Sequence, residues 1–213
     1  YESLNDVEFL AALMKKGVKV RSSEQGFSLN GQNFEPGSLI ITRRNNEGVV
    51  DFDNTIQSLA RSLNRKIYTA STGYVDKGSD FGSSEVNYLE PPKIALLGGD
   101  QTSSLGHGEI WHFFEQQIHY PITVISTDNF RSTDLSKYNV MIIPDGSYRL
   151  FDEGTLSSVE NWVNGGGRLI LLAGGTSAFS DKKGFGLKVY PSEDAKKLAE
   201  KAAKDQQEKE GPL

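Results

Sequence analysis

The stretch from Leu156 to Phe179 constrains the fold of this 213-residue chain more than any other. Apolar residues recur at helical spacing up to Val163, three glycines follow, and a continuous apolar run fills residues 169–172. Such a run is typical of a parallel strand that is buried on both faces. The tight turn Ala173-Gly174-Gly175-Thr176-Ser177 then ends the strand. This order of elements predicts an α/β fold with a parallel sheet.

The residues before this stretch repeat the alternation of strand and helix. Helices are predicted around Ile110–Ile118 and from Glu153, and strands at 93–97, 122–126, 140–143 and 168–172. Because parallel strands are joined by right-handed crossovers, the natural arrangement is a doubly wound sheet with helices on both faces. The predicted fold class is α/β, with a flavodoxin-like doubly wound parallel sheet over residues 93–190.

A small α/β unit is predicted for residues 1–72. One helix is expected to be capped by Asn5 or Asp6, and a second to start at Asp53 or Asn54, with Gln57 completing a capping box. Further expectations in this unit are a type I′ hairpin turn at Asn30-Gly31 and strands at 18–21, 38–42 and 66–70.

Two other segments complete the predicted domain organisation. Residues 73–92 contain several glycines and a proline pair, which predicts a connecting loop that packs between the two units. An alternative is that the amides of Gly78–Ser84 bind an anion. Residues 191–213 are predicted as a charged helical tail that begins after Ser192.

Composition narrows the classes of function. The net charge is −5, and no basic stripe interleaves with aromatic residues, so nucleic-acid binding is not expected. No apolar run approaches the ~20 residues that a membrane-spanning helix needs. The first residue is Tyr1, and the sequence reads as a piece of a longer protein, so the missing signal peptide says nothing about location.

Polar residues follow three of the predicted strands. In doubly wound sheets, ligands bind beyond the carboxyl ends of the strands, and here the loops at 98–104, 145–149 and 174–177 meet at that edge. The candidate binding residues on these loops are Asp100, Thr102, Asp145, Gly146, Ser147 and Thr176.

Other chemistries have weaker support in the sequence. His107, His112 and His119 are spaced by five and seven residues, which does not place two imidazoles on one helical face, so no metal site is predicted. Ser147 and Ser177 lack the Gly-x-Ser-x-Gly spacing of a serine hydrolase. Binding of FMN would rest on analogy of fold alone.

The stretch around Ala173 resembles the nucleophile elbow of class I glutamine amidotransferases, which reads roughly Gly-Ile-Cys-Gly-Gly. Ala173 occupies the position of the nucleophilic cysteine, the chain has no cysteine, and its last histidine, His119, precedes the elbow. Thioester chemistry needs a thiolate. The resemblance therefore implies a retained scaffold without catalytic residues, in which the backbone near Gly146 matches part of an oxyanion hole.

A second resemblance covers residues 1 to about 190. Four segments are similar to the amidotransferase-like region that follows the catalytic domain in a group of large bacterial zinc carboxypeptidases: Lys93–Gly99, Glu109–Gln116, Tyr120–Val124 and Ile142–Tyr148. It implies an exported parent, periplasmic or extracellular, whose zinc lies in a catalytic domain outside this segment. His112 and Glu115 match the His-x-x-Glu spacing of such enzymes, but only His119 follows them, so the match is interpreted as coincidence.

The leading hypothesis is a non-catalytic accessory domain of a zinc carboxypeptidase-type peptidase. It would pack against the catalytic domain of the parent chain, or bind a small-molecule or peptide ligand in the degenerate cleft. The alternative is an autonomous hydrolase or small-molecule-binding enzyme that uses the same cleft. The two hypotheses differ in whether the three loops form an open polar pocket or are plugged by side chains.

Overall fold

The computed structural model describes residues 3–190 and 196–197 of the chain. In these residues the helices are α1 Leu4–Lys15, α2 Phe52–Ser62, α3 Ser104–His112, α4 Glu153–Asn164 and α5 Gly174–Ser177. The strands are β1 Arg21–Ser23, β2 Phe27–Leu29, β3 Gln32–Phe34, β4 Leu39–Ile40, β5 Val86–Tyr88, β6 Ile94–Gly98, β7 Ile122–Ser126, β8 Val140–Ile143 and β9 Arg168–Leu171. A π-helical turn, Phe113–Gln117, extends α3.

A four-stranded parallel sheet has the strand order β7-β6-β8-β9. The chain moves from β6 outward to β7, and then returns past β6 to β8 and β9, so the direction of strand order reverses between β6 and β8. The predicted α/β class with a parallel sheet is confirmed. The order is compatible with a flavodoxin-like sheet, in which ligands bind at the point of reversal.

Helices flank the parallel sheet on both faces because its central strands are apolar on both faces. On β6, Ala95 and Leu97 pack in one cluster with residues of α4, whereas Ile94 and Leu96 pack on the opposite side with residues of α1 and α3. Leu96 has no solvent exposure, and burying such a side chain contributes about 1.5–3 kcal/mol.

Helix α1 contacts both the parallel sheet and the N-terminal region. Ala11 belongs to the cluster beneath the parallel sheet, whereas Leu13 packs with Val20, Ile56 and Ala60. At the end of α1, the ammonium of Lys15 donates to the His119 carbonyl at 2.7 Å. The helix is therefore shared by the two predicted units, while the predicted boundaries at residues 72 and 92 stay predictions.

The N-terminal region forms an antiparallel sheet of order β4-β1-β5 beside the β2-β3 hairpin. Three strand predictions were wrong in position or existence. The strand predicted at 18–21 is β1 at 21–23, the strand predicted at 38–42 is only β4, and residues 66–70 form no strand. The place beside β1 is taken by β5, which lies in the segment predicted as a connecting loop.

Local polar contacts confirm the hairpin and correct both helix caps. Asn30 and Gly31 have φ of 51° and 74°, as a type I′ turn requires. Helix α1 begins after Ser3, whose amide donates to the Asp6 carboxylate at 2.9 Å, so neither Asn5 nor Asp6 is the cap. Helix α2 follows Asp51, which accepts the side-chain amide of Asn54. The predicted caps, Asp53 or Asn54, therefore lie inside the first turn.

The predicted capping role of Gln57 is also wrong. Its side-chain oxygen lies 3.4 Å from the Arg61 guanidinium, one turn further along α2. The Gly78–Ser84 segment makes contacts of its own, because the Phe81 amide donates to the Gly73 carbonyl at 3.0 Å and the Ser83 amide to the Asp80 carbonyl at 2.9 Å. Those two amides are already hydrogen-bonded within the protein, which counts against the alternative that the amides of this segment bind an anion.

Strand β9 differs from the prediction that both of its faces are buried. Leu169 and Leu171 pack against the cluster that includes α4. On the other face, Ile170 is 43% exposed and Leu172 is 41% exposed. The sequence pattern could not show this difference, because it depends on which helices lie next to β9.

The predicted helical tail lies outside the described residues, except that Lys196 and Lys197 have a helical backbone and exposed side chains. Among the helices in residues 3–190 and 196–197, none has the length and apolar character needed to cross a membrane.

Candidate functional site

The three loops at the carboxyl edge of the parallel sheet are bonded to one another. The Ser147 amide donates to the Gln101 carbonyl at 2.9 Å, and the Ser103 amide donates to the Asp145 carbonyl at 2.8 Å. Thr102 and Gly146 form an antiparallel bridge between the same two loops. The loops after β6 and β8 are thus joined through their backbones.

The side chain of Gln101 strengthens this junction. Its amide oxygen accepts from the backbone amides of Arg149 at 2.6 Å and Leu150 at 3.0 Å. A single acceptor therefore fixes two consecutive amides of the loop after β8. Gln101 is among the polar residues of these loops, but nothing in the sequence singles it out as the residue that joins them.

The turn after β9 has the backbone geometry of a strained elbow. Ala173 has φ 45° and ψ −119°, although it is not glycine, and it lies between β9 and the short helix α5. A non-glycine residue in such a conformation costs about 1–3 kcal/mol and persists only when its surroundings enforce it. Nucleophiles of α/β hydrolases sit on a sharp strand-to-helix turn of this kind. Here the exposed side chain at that position is a methyl group.

The glycines after Ala173 allow this turn to approach the loop after β8. A Cβ atom on Gly174 would lie 2.5 Å from the Gly146 carbonyl oxygen, and one on Gly175 would lie 2.7 Å from the Pro144 carbonyl oxygen. Both contacts are shorter than side chains tolerate. The elbow is therefore held against residues 144–146 by backbone contact.

The carboxylate of Asp145 is hydrogen-bonded to the backbone amide that follows the elbow. Its Oδ1 accepts from the Gly174 amide at 2.9 Å. In hydrolases with a nucleophile elbow, the amide after the nucleophile is one of the two donors that stabilise the oxyanion. An anionic side chain on that donor prevents it from binding an oxyanion, so the arrangement opposes acyl-transfer chemistry.

Tyr148 closes the loop after β8 on itself. Its hydroxyl donates to the Pro144 carbonyl at 3.0 Å. Burial raises the pKa of the Tyr148 phenol, and the nearby charge of Asp145 also raises it. The phenol therefore stays neutral and serves as a hydrogen-bond donor at ordinary pH. Tyr148 was missed as a site residue, because an aromatic residue in a loop gives no sign of the carbonyl that it reaches.

The structure brings some of the six predicted binding residues together, but it does not gather all six at one place. Asp145, Gly146 and Thr102 meet at the junction, where the Asp145 carboxylate accepts from the Gly174 amide and the backbones of Thr102 and Gly146 form a bridge. The hydroxyl of Thr176 donates to the Ala173 carbonyl at 2.7 Å. Asp100 and Ser147 are exposed at the rim. Three of the predicted residues thus contribute to the contacts that join the loops.

Two grooves of the described residues lie elsewhere. One of about 520 Å³ runs along the exposed face of α3, lined by Ser104, Leu105, Gly108, Glu109, His112, Phe113 and Gln117. Another of about 290 Å³ lies at the start of α2, beside Arg43 and Phe52. Neither is at the elbow, so neither would bring a ligand to Ala173.

The histidines do not assemble a metal centre. The His107 ring lies 3.1 Å from the Leu97 carbonyl, and the His119 ring lies 3.1 Å from the Glu115 carbonyl. The Glu115 carboxylate accepts from the Ile122 amide at 3.4 Å, so it has a partner other than His112. Within residues 3–190 and 196–197, no group of three or more potential ligand side chains could hold a metal ion.

The strain at Ala173 predicts an unusual effect of glycine. Ala173→Gly is expected to raise the free energy of unfolding by about 1 kcal/mol, because glycine adopts a positive φ without the steric cost of a Cβ. The measurement is urea unfolding followed by circular dichroism. The matched control is Ala12→Gly inside α1, which should lower the same quantity by about 1 kcal/mol. Equal destabilisation by both substitutions would contradict a strained elbow.

No family model, no curated protein and no solved structure matches this chain.

Proposed function

We propose that this chain is a non-catalytic accessory domain with an amidotransferase-like, flavodoxin-like scaffold, belonging to a zinc carboxypeptidase-type peptidase. The observation that carries the proposal is the backbone geometry of the elbow together with the side chain found there. Ala173 keeps the strained geometry that suits a nucleophile, while its side chain is a methyl group and Asp145 bonds the adjacent Gly174 amide. A retained elbow without a nucleophile is what a scaffold that has lost its chemistry would have.

The bonded loops support a packing role over an independent enzyme. Gln101 and Asp145 direct their polar atoms to backbone groups of the neighbouring loops, and Tyr148 donates to the Pro144 carbonyl within its own loop. A ligand that entered here would have to displace these contacts, and each hydrogen bond is worth about 0.5–1.5 kcal/mol. The domain is therefore proposed to act by packing against the catalytic domain of the parent chain, which would hold the zinc.

The export of the parent and its zinc chemistry rest on the resemblance of the four sequence segments. The test is the reading frame that encodes Tyr1. We expect it to continue upstream into a domain with a His-x-x-Glu pair and a third histidine, preceded by an export signal. Carboxypeptidase activity of that longer protein should be abolished by a zinc chelator. An upstream sequence with no such ligand set would overturn the link to a zinc peptidase.

Restoring the thiol alone is expected to leave the domain without acyl-transfer activity. In Ala173→Cys the introduced thiol should be alkylated readily by iodoacetamide, because position 173 is exposed. It should release no ammonia from glutamine above the rate of the unmodified chain, because the Gly174 amide, which would stabilise the oxyanion, is already bonded to Asp145. Glutamine hydrolysis by the variant would show that a base and an oxyanion site are present.

Ligand-dependent thermal stabilisation separates the accessory domain from an autonomous enzyme. A ligand at 100 times its Kd would stabilise the folded state by about 2.7 kcal/mol, which raises Tm by several degrees in a chain of this size. We expect no such rise with glutamine, other amino acids, short peptides, sugars or divalent metals. A clear rise with one chemical class would instead favour the small-molecule-binding enzyme.

A further inference from the structure

Helix α3 is less covered than the other long helices of the fold. Each of α1, α2 and α4 contains buried residues, whereas no residue of α3 or of the π-helical turn after it is buried. The outer face of α3 carries Leu105, which is 78% exposed, beside the groove of about 520 Å³. A large apolar side chain exposed at a groove is a feature of interaction surfaces.

The groove contains a glycine that the chain itself does not need. Gly106 lies close to the loop after β8, because a Cβ there would be 3.4 Å from that of Asp145. Gly108 is different, since a Cβ there would meet nothing within 4 Å. A glycine inside a helix costs about 1 kcal/mol relative to alanine. Gly108 leaves an indentation in the surface of α3, into which a side chain of another molecule can fit.

Two polar side chains of the groove have no ion-pair partner. Glu109 and His112 are both exposed, and none of the ion pairs in the described part of the chain includes either residue. A carboxylate accepts a hydrogen bond from a neutral imidazole and forms an ion pair with a protonated one. A surface that carries both groups can therefore be complementary in charge to a second copy of itself.

The residues that line the groove match one another in pairs about its centre. We consider two copies of the helical segment 104–117 that cross antiparallel at a twofold axis through their middle. Glu109 of one copy then lies opposite His112 of the other, and each such contact occurs twice. The same axis sets Gly108 opposite Phe113, so an aromatic ring that is only partly buried meets the indentation. The groove is thus complementary to itself in size and in charge.

We propose that this chain forms a dimer in which α3 of one copy packs antiparallel on α3 of a second copy. Ser104 and Gln117, which line the two ends of the groove, are then opposite each other as well. A contact through one helix of each copy is small, so a weak dimer is expected. The dimer goes beyond the proposed accessory function and does not depend on it, because the groove is not at the elbow.

Charge exchange across the twofold axis tests the dimer with the full chain. Sedimentation velocity would measure the dissociation constant between about 1 µM and about 1 mM, the range expected for a small interface. Glu109→Lys sets a cation opposite His112, and His112→Glu sets two carboxylates opposite each other. Each substitution alone should raise the dissociation constant at least about tenfold.

A mixture of these two variants should restore association. In the mixed dimer the new cation faces the new carboxylate, while the natural Glu109 of one copy faces the natural His112 of the other. The matched control is Ser157→Lys on the exposed side of α4, which adds the same charge outside the groove and should leave the dissociation constant unchanged. A further variant, Gly108→Gln, fills the indentation and should also raise the dissociation constant at least about tenfold.

Three results would overturn the proposal. A chain that stays monomeric up to about 1 mM would show that a second copy does not occupy the groove. A dimer that responds as strongly to Ser157→Lys as to Glu109→Lys would use a different surface. A mixture of the two charge variants that stays monomeric would show that Glu109 and His112 do not face each other across the axis.

Discussion

Replacement of Phe179 by alanine is expected to lower the free energy of unfolding by about 3–5 kcal/mol. Phe179 has no solvent exposure, and its ring centroid lies 4.7 Å from that of Phe151 and 4.9 Å from that of Phe185. The substitution leaves a cavity that several rings line, and these rings cannot all move to fill it. Urea unfolding measures the loss, which should lower Tm by about 10 °C.

The matched control for Phe179 is its neighbour Phe185. Phe185 is only partly buried and packs at the margin of the same cluster, so Phe185→Ala should cost less than half as much. If both substitutions cost the same, or if Phe179→Ala costs under 1 kcal/mol, then the residues after the elbow are not anchored in the core as the structure has them.

The second large effect is expected at Gly175. Gly175→Ala should lower the free energy of unfolding by about 1–3 kcal/mol, because the added methyl group meets backbone oxygens rather than a flexible side chain. The new Cβ would lie 2.7 Å from the Pro144 oxygen and 2.8 Å from the Ile143 oxygen. Urea unfolding measures this loss, and the spectra of the folded variant show whether the elbow loop has shifted.

Gly108 provides the opposite control. It lies inside α3, and a Cβ there would meet nothing within 4 Å. Gly108→Ala should therefore raise the free energy of unfolding by up to about 1 kcal/mol, the difference in helix propensity between the two residues. A stabilised Gly175→Ala, or a strongly destabilised Gly108→Ala, would contradict the contacts that the structure assigns to these glycines.

These effects bear on the proposed function because they concern the same junction. Phe179 anchors the chain that leaves the elbow, and Gly175 lets the elbow approach residues 143–144. The Asp145 carboxylate then bonds the Gly174 amide at 2.9 Å. The contacts of the elbow thus contribute to the stability of the fold. This gives a reason for its geometry to persist without a catalytic side chain.

Where side-chain pattern and local turn chemistry decide structure, the sequence predicted the fold well. The strands at 122–126 and 140–143, the start of α4 at Glu153 and the turn at Asn30-Gly31 match the structure. Periodicity and turn residues are local properties, so these elements needed no tertiary information. Residues 66–70 show the limit, because a strand also requires a partner, and none of the described strands pairs with this segment.

The candidate site shows the same difference between what the local sequence predicts and what depends on tertiary contacts. The sequence by itself determined that position 173 is alanine, that no cysteine could replace a nucleophile and that a glycine turn follows a strand. It could not reveal that Asp145 bonds the Gly174 amide, a contact across 29 positions of the chain. It also could not reveal the strained backbone of Ala173 or the partial exposure of Ile170 and Leu172 on one face of β9. Only the tertiary structure decided these features, because backbone strain, plugging contacts and face coverage depend on which distant segments lie together.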